Sequence, residues 1–399
     1  MSRLRHQLPA YSPVSLRAII QAARAAAPVG ADPRRRVIEL LRRQYEAEQV
    51  TLCGSGTHAL QLAVRQAWQV LGEKTTVALP AFSCFDIGSA AVGVDARIAL
   101  YDLDPGTLSP DWDSFRSALA SGARVAIVAP LYGIPVDWDA GERCAEGYGA
   151  VLIEDAAQGA GAFWRGRPLG ALGRLSVLSF GRGKGWSAVR GGTLMTRALD
   201  EHEDAELELL QAGPTSELSV VVSAAAQWTL GRPSLYGLPV SIPGLGLGET
   251  RYKDPTAPQR LSRAGARLLE CTRHAADQEA ELRRQRAKGW KETIRFGPHA
   301  RPIEVPDHGT AGFLRFPLRL SRGVAGIERP RSALRLGAAP SYPRPLGALP
   351  PVAARLHEPH GRWPGAEELV RTLVTLPTHS MLTMWERSRL LRLLSDYPH

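Results

Sequence analysis

The stretch QVTLCGSGTHALQLAVRQAWQVL, residues 49–71, determines the fold class of this chain. A short apolar run, QVTLC, leads into a glycine-rich turn and then into apolar residues at helical spacing, which is typical of a strand–turn–helix unit. Further apolar runs follow downstream, separated by amphipathic or polar stretches: VALPAF, RIALYDLD, ARVAIVAPLYG, AVLIEDAAQ and LSVLSFG. Repeated strand–helix–strand units predict an α/β fold with a mainly parallel central sheet and helices on both faces.

The chain divides into three predicted parts around this block. Residues 1–48 contain two helix-like segments and form an N-terminal helical arm. Residues 49–255 form a large α/β domain, and residues 256–399 form a linking helix and a smaller C-terminal α/β domain. Residues 213–255 are rich in Gly and Pro and nearly uncharged, so we interpret them as an atypical insert that is a buried cover, an oligomer contact or a substrate flap.

The amino-acid composition is that of a globular protein. The chain has 399 residues, of which 44% are hydrophobic and 22% are charged, so a disordered or collagen-like chain is excluded. The four cysteines form neither a zinc-binding CxxC pair nor a dense disulfide framework, which predicts a cytoplasmic setting and no structural metal. No apolar run is long enough to span a membrane, although a shallow membrane contact through residues 218–247 is an alternative role for the insert.

The net charge of +10 comes from 49 basic and 39 acidic residues. Arginine supplies nearly all of the positive charge and is spread along the whole chain, which indicates compositional bias and not a nucleic-acid surface. We therefore expect no nucleic-acid partner. Arginine also binds phosphate groups well, because its planar guanidinium donates two hydrogen bonds at once.

Three groups of polar residues follow predicted strands, at the sheet edge where parallel α/β folds bind ligands. Ser55, Gly56 and Thr57 begin a helix, where backbone N–H groups bind phosphate, although the same residues are also ordinary turn residues. Asp155 ends a buried run, where a carboxylate either caps a turn or needs a cationic partner. Lys184 lies in the glycine-rich turn SFGRGK, where desolvation favours a neutral, nucleophilic amine.

These three groups meet the needs of pyridoxal 5'-phosphate, which requires a phosphate cradle, an acid opposite its ring nitrogen and a lysine for its aldehyde. On these and further motifs the chain resembles the fold-type I aminotransferases of the DegT/DnrJ/StrS family, best known as nucleotide-sugar aminotransferases. The resemblance is densest between residues 50 and 196. It is carried by GSGTHAL (54–60), PAF (80–82), YDLDPGTLSPD (101–111), YGIPVD (132–137), IEDAAQGAGA (153–162), SFGRGK (179–184), GG (191–192) and TLPTH (375–379).

The resemblance implies a role for each matching residue. Lys184 would bind the cofactor's aldehyde and carry the proton in catalysis, and Asp155 would keep the pyridine nitrogen protonated. The remaining cofactor contacts would come from Ser55, Gly56, Thr57, Gln158 and Ser179. The resemblance also implies an amino acid donor, commonly glutamate, a keto acceptor, and a homodimer with active sites at the subunit interface.

Departures from the family pattern concern the cofactor ring and the substrate side. Cys84 stands where relatives place an aromatic residue that stacks on the ring, so we expect Phe82, Phe85 or the sulfur of Cys84 to contact the ring instead. The partner-subunit segment Gly-x-Asn-Tyr-Arg, which completes the phosphate site in relatives, is not recognisable. Arg251 and Tyr252 are the candidate replacements.

The sequence thus predicts a pyridoxal-phosphate-dependent aminotransferase. The expected acceptor is a keto group of a nucleotide-linked sugar, in polysaccharide or glycosylated-metabolite biosynthesis. One alternative is a cyclitol or lipid-linked carbonyl acceptor. Another is a non-catalytic binding or regulatory protein that retains the fold.

Overall fold

A computed structural model describes residues 5–198, 213–240, 250–358 and 360–395. Seven of the described strands form one sheet in the order β1-β9-β8-β5-β4-β2-β3, and parallel pairs join β8, β5, β4, β2 and β3. Only β9 runs against its neighbours β1 and β8. The predicted mainly parallel sheet is therefore confirmed. The strands of this part of the chain are β1 (Gln49–Cys53), β2 (Thr76–Pro80), β3 (Ile98–Tyr101), β4 (Ala123–Val128), β5 (Val151–Asp155), β6 (Phe163–Trp164), β7 (Arg167–Pro168), β8 (Leu175–Ser179) and β9 (Gly192–Thr196).

Both faces of this sheet are buried, as the continuous apolar runs of its strands require. In β4, Val125 and Ile127 join one hydrophobic cluster, whereas Ala126 and Val128 join the cluster on the opposite face. Successive strand residues point to opposite faces, so each face needs its own helical cover. The helices that precede and connect these strands are α1 (Leu16–Ala25), α2 (Pro33–Tyr45), α3 (Gly56–Leu71), α4 (Phe85–Gly93), α5 (Trp112–Ala120) and α6 (Trp138–Gly147).

The predicted insert is partly helical. It contains α7 (Glu217–Leu230) and α8 (Pro233–Val240), whereas its residues 241–249 lie outside the described part of the chain. Ser216 caps α7 by accepting a hydrogen bond from the backbone N–H of Ser219. Helix α7 packs against α1 and against the following long helix, α9 (Arg263–Thr293). Helix α9 is the predicted linking helix, and the arm helices α1 and α2 pack against it.

A second, four-stranded antiparallel sheet follows α9, in the order β10-β12-β14-β13. A two-residue strand pairs instead with β6 of the first half of the chain, forming a small sheet with β6 and β7. The remaining elements are β10 (Ala300–Pro302), β11 (Gly309–Thr310), β12 (Phe316–Leu320), α10 (Pro330–Arg335), β13 (Ala339–Pro340), α11 (Pro350–Ala353), α12 (Pro364–Thr372), β14 (Leu373–Leu376) and α13 (Met384–Ser395).

The C-terminal half also returns to the first sheet. The backbone N–H of His357 donates to the carbonyl of Ile98 in β3 over 2.7 Å, and the N–H of Leu346 donates to the carbonyl of Ala81 over 2.8 Å. This return brings Tyr342 towards the carboxyl edge of the parallel strands, where it contacts Phe82. Among the described helices, none combines the length and apolarity that crossing a lipid bilayer requires.

Candidate active site

A cavity of about 650 Å³ lies at the carboxyl edge of the central sheet. Its wall includes the start of α3, the end of β5 and the loop that follows β8. Strands β5 and β8 are neighbours in the sheet, and β9 alone separates β8 from β1. The sheet order therefore brings together the three groups of residues that the sequence singles out.

The start of α3 is a close-packed turn. The Ser55 hydroxyl accepts a hydrogen bond from the backbone N–H of His58 over 3.0 Å and so caps the helix. A side chain at Gly56 would come within 2.8 Å of the Ser179 Cβ, and one at Gly192 would come within 2.4 Å of the Ser55 carbonyl oxygen. Ser55, Gly56, Thr57 and Ser179 all line the cavity. Because the first N–H groups of a helix have no partner within the helix, this end of α3 can bind an anion.

Asp155 and its neighbour Glu154 have different environments. Glu154 is fully buried, and its carboxylate accepts hydrogen bonds from the backbone N–H groups of Gly170, Leu172 and Gly173 and from the Ser176 hydroxyl. It therefore fixes the chain between β7 and β8. Asp155 follows it in β5 and lines the cavity.

The Asp155 carboxyl has a perturbed acidity. Burial raises its pKa from 3.8 to about 6, although the positive charge of Lys184 and a hydrogen bond from the backbone N–H of Ala157 oppose that rise. A buried carboxylate near neutral pH gains from a cationic or N–H partner. Asp155 is thus suited to hold a protonated ring nitrogen.

Lys184 is presented to the cavity by a tight turn. Its backbone N–H donates to the carbonyl of Gly181, and the flanking Gly183 and Gly185 have φ values of +76° and +83°. These left-handed conformations favour glycine. The next residue, Trp186, is buried and donates from its ring N–H to the carbonyl of Leu269 in α9 over 3.0 Å. Trp186 therefore anchors the turn to α9 two residues after the lysine.

Gln158 also lines the cavity, and both polar atoms of its side-chain amide form hydrogen bonds within the protein. The Oε1 atom accepts from the backbone N–H of Tyr132 over 3.0 Å, and the Nε2 group donates to the hydroxyl of Tyr342 over 2.9 Å. Gln158 thus has a fixed orientation at the site. The sequence did not indicate Tyr342 as its partner, since the two residues are 184 positions apart.

Of the expected ring contacts, the structure places Cys84 in the cavity wall but not Phe82 or Phe85. The chain enters α4 at Phe85, which turns this ring into the core, where its centroid lies 6.5 Å from that of Tyr342. Phe85 is therefore not among the residues that line the cavity, where a ring stacked on the cofactor would lie. The Cys84 thiol donates to Asp86 over 3.4 Å, and burial raises the pKa of this thiol to about 12.

The candidate replacements for the partner-subunit segment lie outside the cavity wall. Arg251 is exposed, and Tyr252 packs against the hydrophobic core beside the sheet. Their neighbour Lys253 does line the cavity, as do Thr256 and Gln259. Sequence reasoning missed these three residues because they follow no strand and match no motif that it used.

His58 contacts this same segment. Its Nδ1 atom accepts from the backbone N–H of Gln259 over 3.2 Å, and its Nε2 group lies 2.9 Å from the Thr256 hydroxyl. Burial lowers the pKa of His58, which favours the neutral ring. Within the described ranges, no group of three or more histidine, cysteine or acidic side chains could hold a metal ion.

Two hydroxyls in the cavity wall have no hydrogen-bond partner within the described part of the chain. They are the Oγ of Ser83, which precedes α4, and the Oγ1 of Thr215, which precedes α7. Leaving a buried hydroxyl unsatisfied costs about 1–3 kcal/mol. Both hydroxyls are therefore available to a polar ligand. Four cationic side chains line the same cavity beside three carboxylates and could pair with an anionic ligand: Arg182, Lys184, Arg190 and Lys253 against Asp86, Asp155 and Asp254.

The chain is similar in sequence to curated aminotransferases over part of its length. The chain is 33% identical over 165 residues to an L-glutamine:2-deoxy-scyllo-inosose aminotransferase from Streptomyces fradiae, an alignment covering 40% of this chain and 38% of the relative. It is 31% identical over 141 residues to a 3-amino-5-hydroxybenzoate synthase from Amycolatopsis mediterranei, covering 35% of this chain and 36% of that one. The chain thus aligns with less than half the length of these relatives.

The likeness extends to solved structures over nearly the whole chain. A putative sugar aminotransferase from Streptococcus pneumoniae, solved in its PLP form, superposes with a TM-score of 0.75 at 17% identity and covers 99% of this chain and 100% of that chain. The sequence profile of the DegT/DnrJ/EryC1/StrS aminotransferase family matches residues 35–226. Residues 35–226 thus match the DegT/DnrJ/EryC1/StrS aminotransferase family, and nearly the whole chain shares its fold with the putative sugar aminotransferase structure.

Proposed function

We propose that this protein is a pyridoxal-phosphate-dependent aminotransferase. The observation that carries the proposal is the placement of Lys184, Asp155 and the start of α3 around a single cavity. These are the amine, the acid and the anion-binding helix end that this cofactor needs. The family match over residues 35–226 and the PLP form of the pneumococcal structure support the same cofactor.

The cavity wall has suitable residues for the phosphate, the ring nitrogen and the aldehyde of the cofactor. The backbone N–H groups of Gly56 and Thr57 and the Ser179 hydroxyl would bind its phosphate, with Ser55 fixing the turn. Asp155 would face its ring nitrogen, and Lys184 its aldehyde. The Ser83 and Thr215 hydroxyls, which have no hydrogen-bond partner among the described residues, provide further donors for a polar ligand. When bound, the cofactor supplies an electron-withdrawing ring and a site that carries the amino group between two substrates.

The chain's own residues would hold and move protons around that group. Asp155 would retain a proton on the ring nitrogen through a charge-assisted hydrogen bond, which burial strengthens. The Nζ of Lys184 would take the proton from the substrate carbon and return it. Gln158, held by Tyr132 and Tyr342, would keep the ring in one orientation.

The relatives and the cavity support a choice of substrates. An amino acid, glutamate or the glutamine named for the Streptomyces relative, would donate the amino group. The acceptor would be a polyhydroxylated cyclic ketone, either a nucleotide-linked keto sugar or a free cyclitol ketone. The relative's name favours the cyclitol, whereas the cations in the cavity wall favour a phosphorylated or nucleotide-linked acceptor.

We further propose that the chain is a cytoplasmic homodimer, with residues 49–255 and 256–399 as its two domains. Exposed apolar side chains on α7 support a subunit contact, since Leu218 is 71% exposed and Val222 is 58% exposed. Leu16 and Ile20 on the adjacent α1 are also exposed. Light scattering of the purified protein should give twice the mass of one chain, and a monomer would contradict the proposal.

An amination assay tests the proposed reaction. The purified protein is incubated with pyridoxal phosphate, an isotope-labelled amino donor and either a keto-inositol or a nucleoside-diphosphate keto sugar, and the amine product is detected by mass spectrometry. We expect label in the product of one acceptor class and none with Lys184→Ala. Absence of a labelled amine with both classes, despite bound cofactor, would favour a lipid-linked acceptor or the non-catalytic alternative.

A further inference from the structure

We propose that the hydroxyl of Thr215 binds the phosphate of the cofactor, so that the chain's own insert completes the phosphate cradle at the start of α3. The inference rests on the proposed function and adds a residue from outside the matched motifs. Neither the family resemblance nor the relatives assign Thr215 a role.

The backbone holds Thr215 beside the start of α3. The N–H of Thr215 donates to the carbonyl of Arg260 over 2.9 Å, and the N–H of Arg260 donates to the carbonyl of Gly213 over 3.1 Å. The adjacent Gln259 carbonyl accepts from the N–H of Gly54 over 2.6 Å. Two segments that are distant in sequence are thus joined to each other and to the residue that precedes the helix cap.

The side chain of Thr215 packs directly on this turn. Its Cγ2 methyl lies so close to Gly54 that a Cβ at Gly54 would come within 2.5 Å of it. The side chain lines the cavity although the residue is only 8% exposed. The methyl therefore anchors Thr215 against the turn, while the other branch of the side chain carries the hydroxyl.

The Thr215 hydroxyl has no hydrogen-bond partner in the part of the chain that the structure describes. Its Oγ1 atom is buried and makes no hydrogen bond within the described residues, although Thr215 is a residue of the cavity wall. A hydroxyl can donate to a phosphate oxygen, and hydrogen bonds to a charged acceptor are about twice as strong as neutral ones. The cofactor phosphate at the adjacent helix end would satisfy this group.

The surrounding charges favour a phosphate at this position. Arg190 lines the cavity. The backbone of its neighbour Gly191 forms an isolated β-bridge with Ser55, the residue that caps α3. Lys253 also lines the cavity, from the segment that follows the undescribed part of the insert. The cavity wall that contains the α3 terminus thus also contains a hydroxyl donor and two cationic side chains of the same chain, together with the carboxylates of Asp86, Asp155 and Asp254. In this proposal, these residues complete the phosphate site in place of the partner-subunit segment that is not recognisable in the sequence.

Cofactor titrations on the full-length protein test the inference. Binding of pyridoxal phosphate and of pyridoxal, which lacks the phosphate, is followed by absorbance for the wild type, Thr215→Val and Thr215→Ser. Valine keeps the methyl packing and removes only the hydroxyl. We expect Thr215→Val to raise the Kd for pyridoxal phosphate about tenfold, equal to about 1.4 kcal/mol, and to leave the Kd for pyridoxal unchanged. Thr215→Ser should restore wild-type affinity.

A matched control lies on the same insert. Thr229 is exposed on α7 and donates to the carbonyl of Ala225, so Thr229→Val should leave both affinities unchanged. Circular dichroism of each variant confirms folding, and Thr215→Ala replaces the valine variant if that one does not fold. Equal affinity of the wild type and the hydroxyl-free variant for pyridoxal phosphate, or an equal loss for both ligands, would overturn the inference alone. Failure of the wild type to bind pyridoxal phosphate would overturn the proposed function with it.

Discussion

Replacing Asp155 by asparagine should stabilise the cofactor-free protein while weakening its binding of the cofactor. Asp155 is buried, and its pKa is raised to about 6 mainly because burial disfavours the charged carboxylate. Without a ring nitrogen as partner, the ionised side chain is a cost to the folded state at neutral pH. Asparagine has nearly the same shape and can still accept the hydrogen bond from the backbone N–H of Ala157.

The size and sign of the effect follow from the two pKa values. The native pKa of about 6 lies above the ordinary value of 3.8, so protonation favours the folded state, and this stabilisation is lost as the pH rises through 6. A difference of about two pKa units corresponds to about 3 kcal/mol of unfolding free energy at pH 8. At pH 4.5, where most of the native carboxyl is protonated, the difference falls to about 1 kcal/mol.

Urea denaturation of the cofactor-free wild type and Asp155→Asn at pH 8 and pH 4.5 measures both values. The variant should have the higher midpoint at pH 8, and its advantage should shrink at pH 4.5. Asp113→Asn is the matched control, because that side chain is 92% exposed and its replacement should change stability by less than about 0.5 kcal/mol at either pH. An Asp155→Asn variant that is no more stable than the wild type at pH 8 would refute the reasoning.

Three further predictions concern residues in or next to the cavity wall. Glu154→Gln should lower the unfolding free energy by about 2–4 kcal/mol in urea denaturation. Both carboxylate oxygens of Glu154 accept from backbone N–H groups, whereas glutamine would place an NH₂ group against one set of these donors. Unchanged stability would contradict this role. Gly192→Ala should lower the melting temperature and weaken cofactor binding, since its Cβ would lie 2.4 Å from the Ser55 carbonyl oxygen and displace the helix cap. Cys84, with a thiol pKa of about 12, should react with iodoacetamide at pH 8 far more slowly than the reference thiol N-acetylcysteine, as peptide mass spectrometry of the labelled protein would show. Equal rates would contradict the raised pKa of this thiol.

The parts of the site that sequence reasoning found are local in the chain. Ser55, Gly56 and Thr57 follow β1, Asp155 ends β5, and Lys184 follows β8 by a few residues. For such residues, a strand-and-turn pattern is enough to predict a place at the carboxyl edge of a parallel sheet. The structure places all of them in one cavity wall.

The parts that sequence reasoning missed come from distant segments. Thr215 reaches the cavity through backbone pairing with Arg260, and Tyr342 reaches Gln158 because the C-terminal half returns to the first sheet. Neither pairing has a local sequence signal. Phe85 shows a different limit, because no local sequence pattern indicates that the start of α4 turns its ring into the core.

The most direct test of the account is the absorbance spectrum of the purified protein with pyridoxal phosphate, recorded before and after addition of glutamate or glutamine. We predict a visible band from the lysine-bound cofactor, a shift of that band to the shorter wavelength of the amine form when the donor is added, and loss of the lysine-bound band in folded Lys184→Ala. A folded wild-type protein that gives no band, or a band that Lys184→Ala retains unchanged, would contradict the assignment of this cavity as a pyridoxal phosphate site.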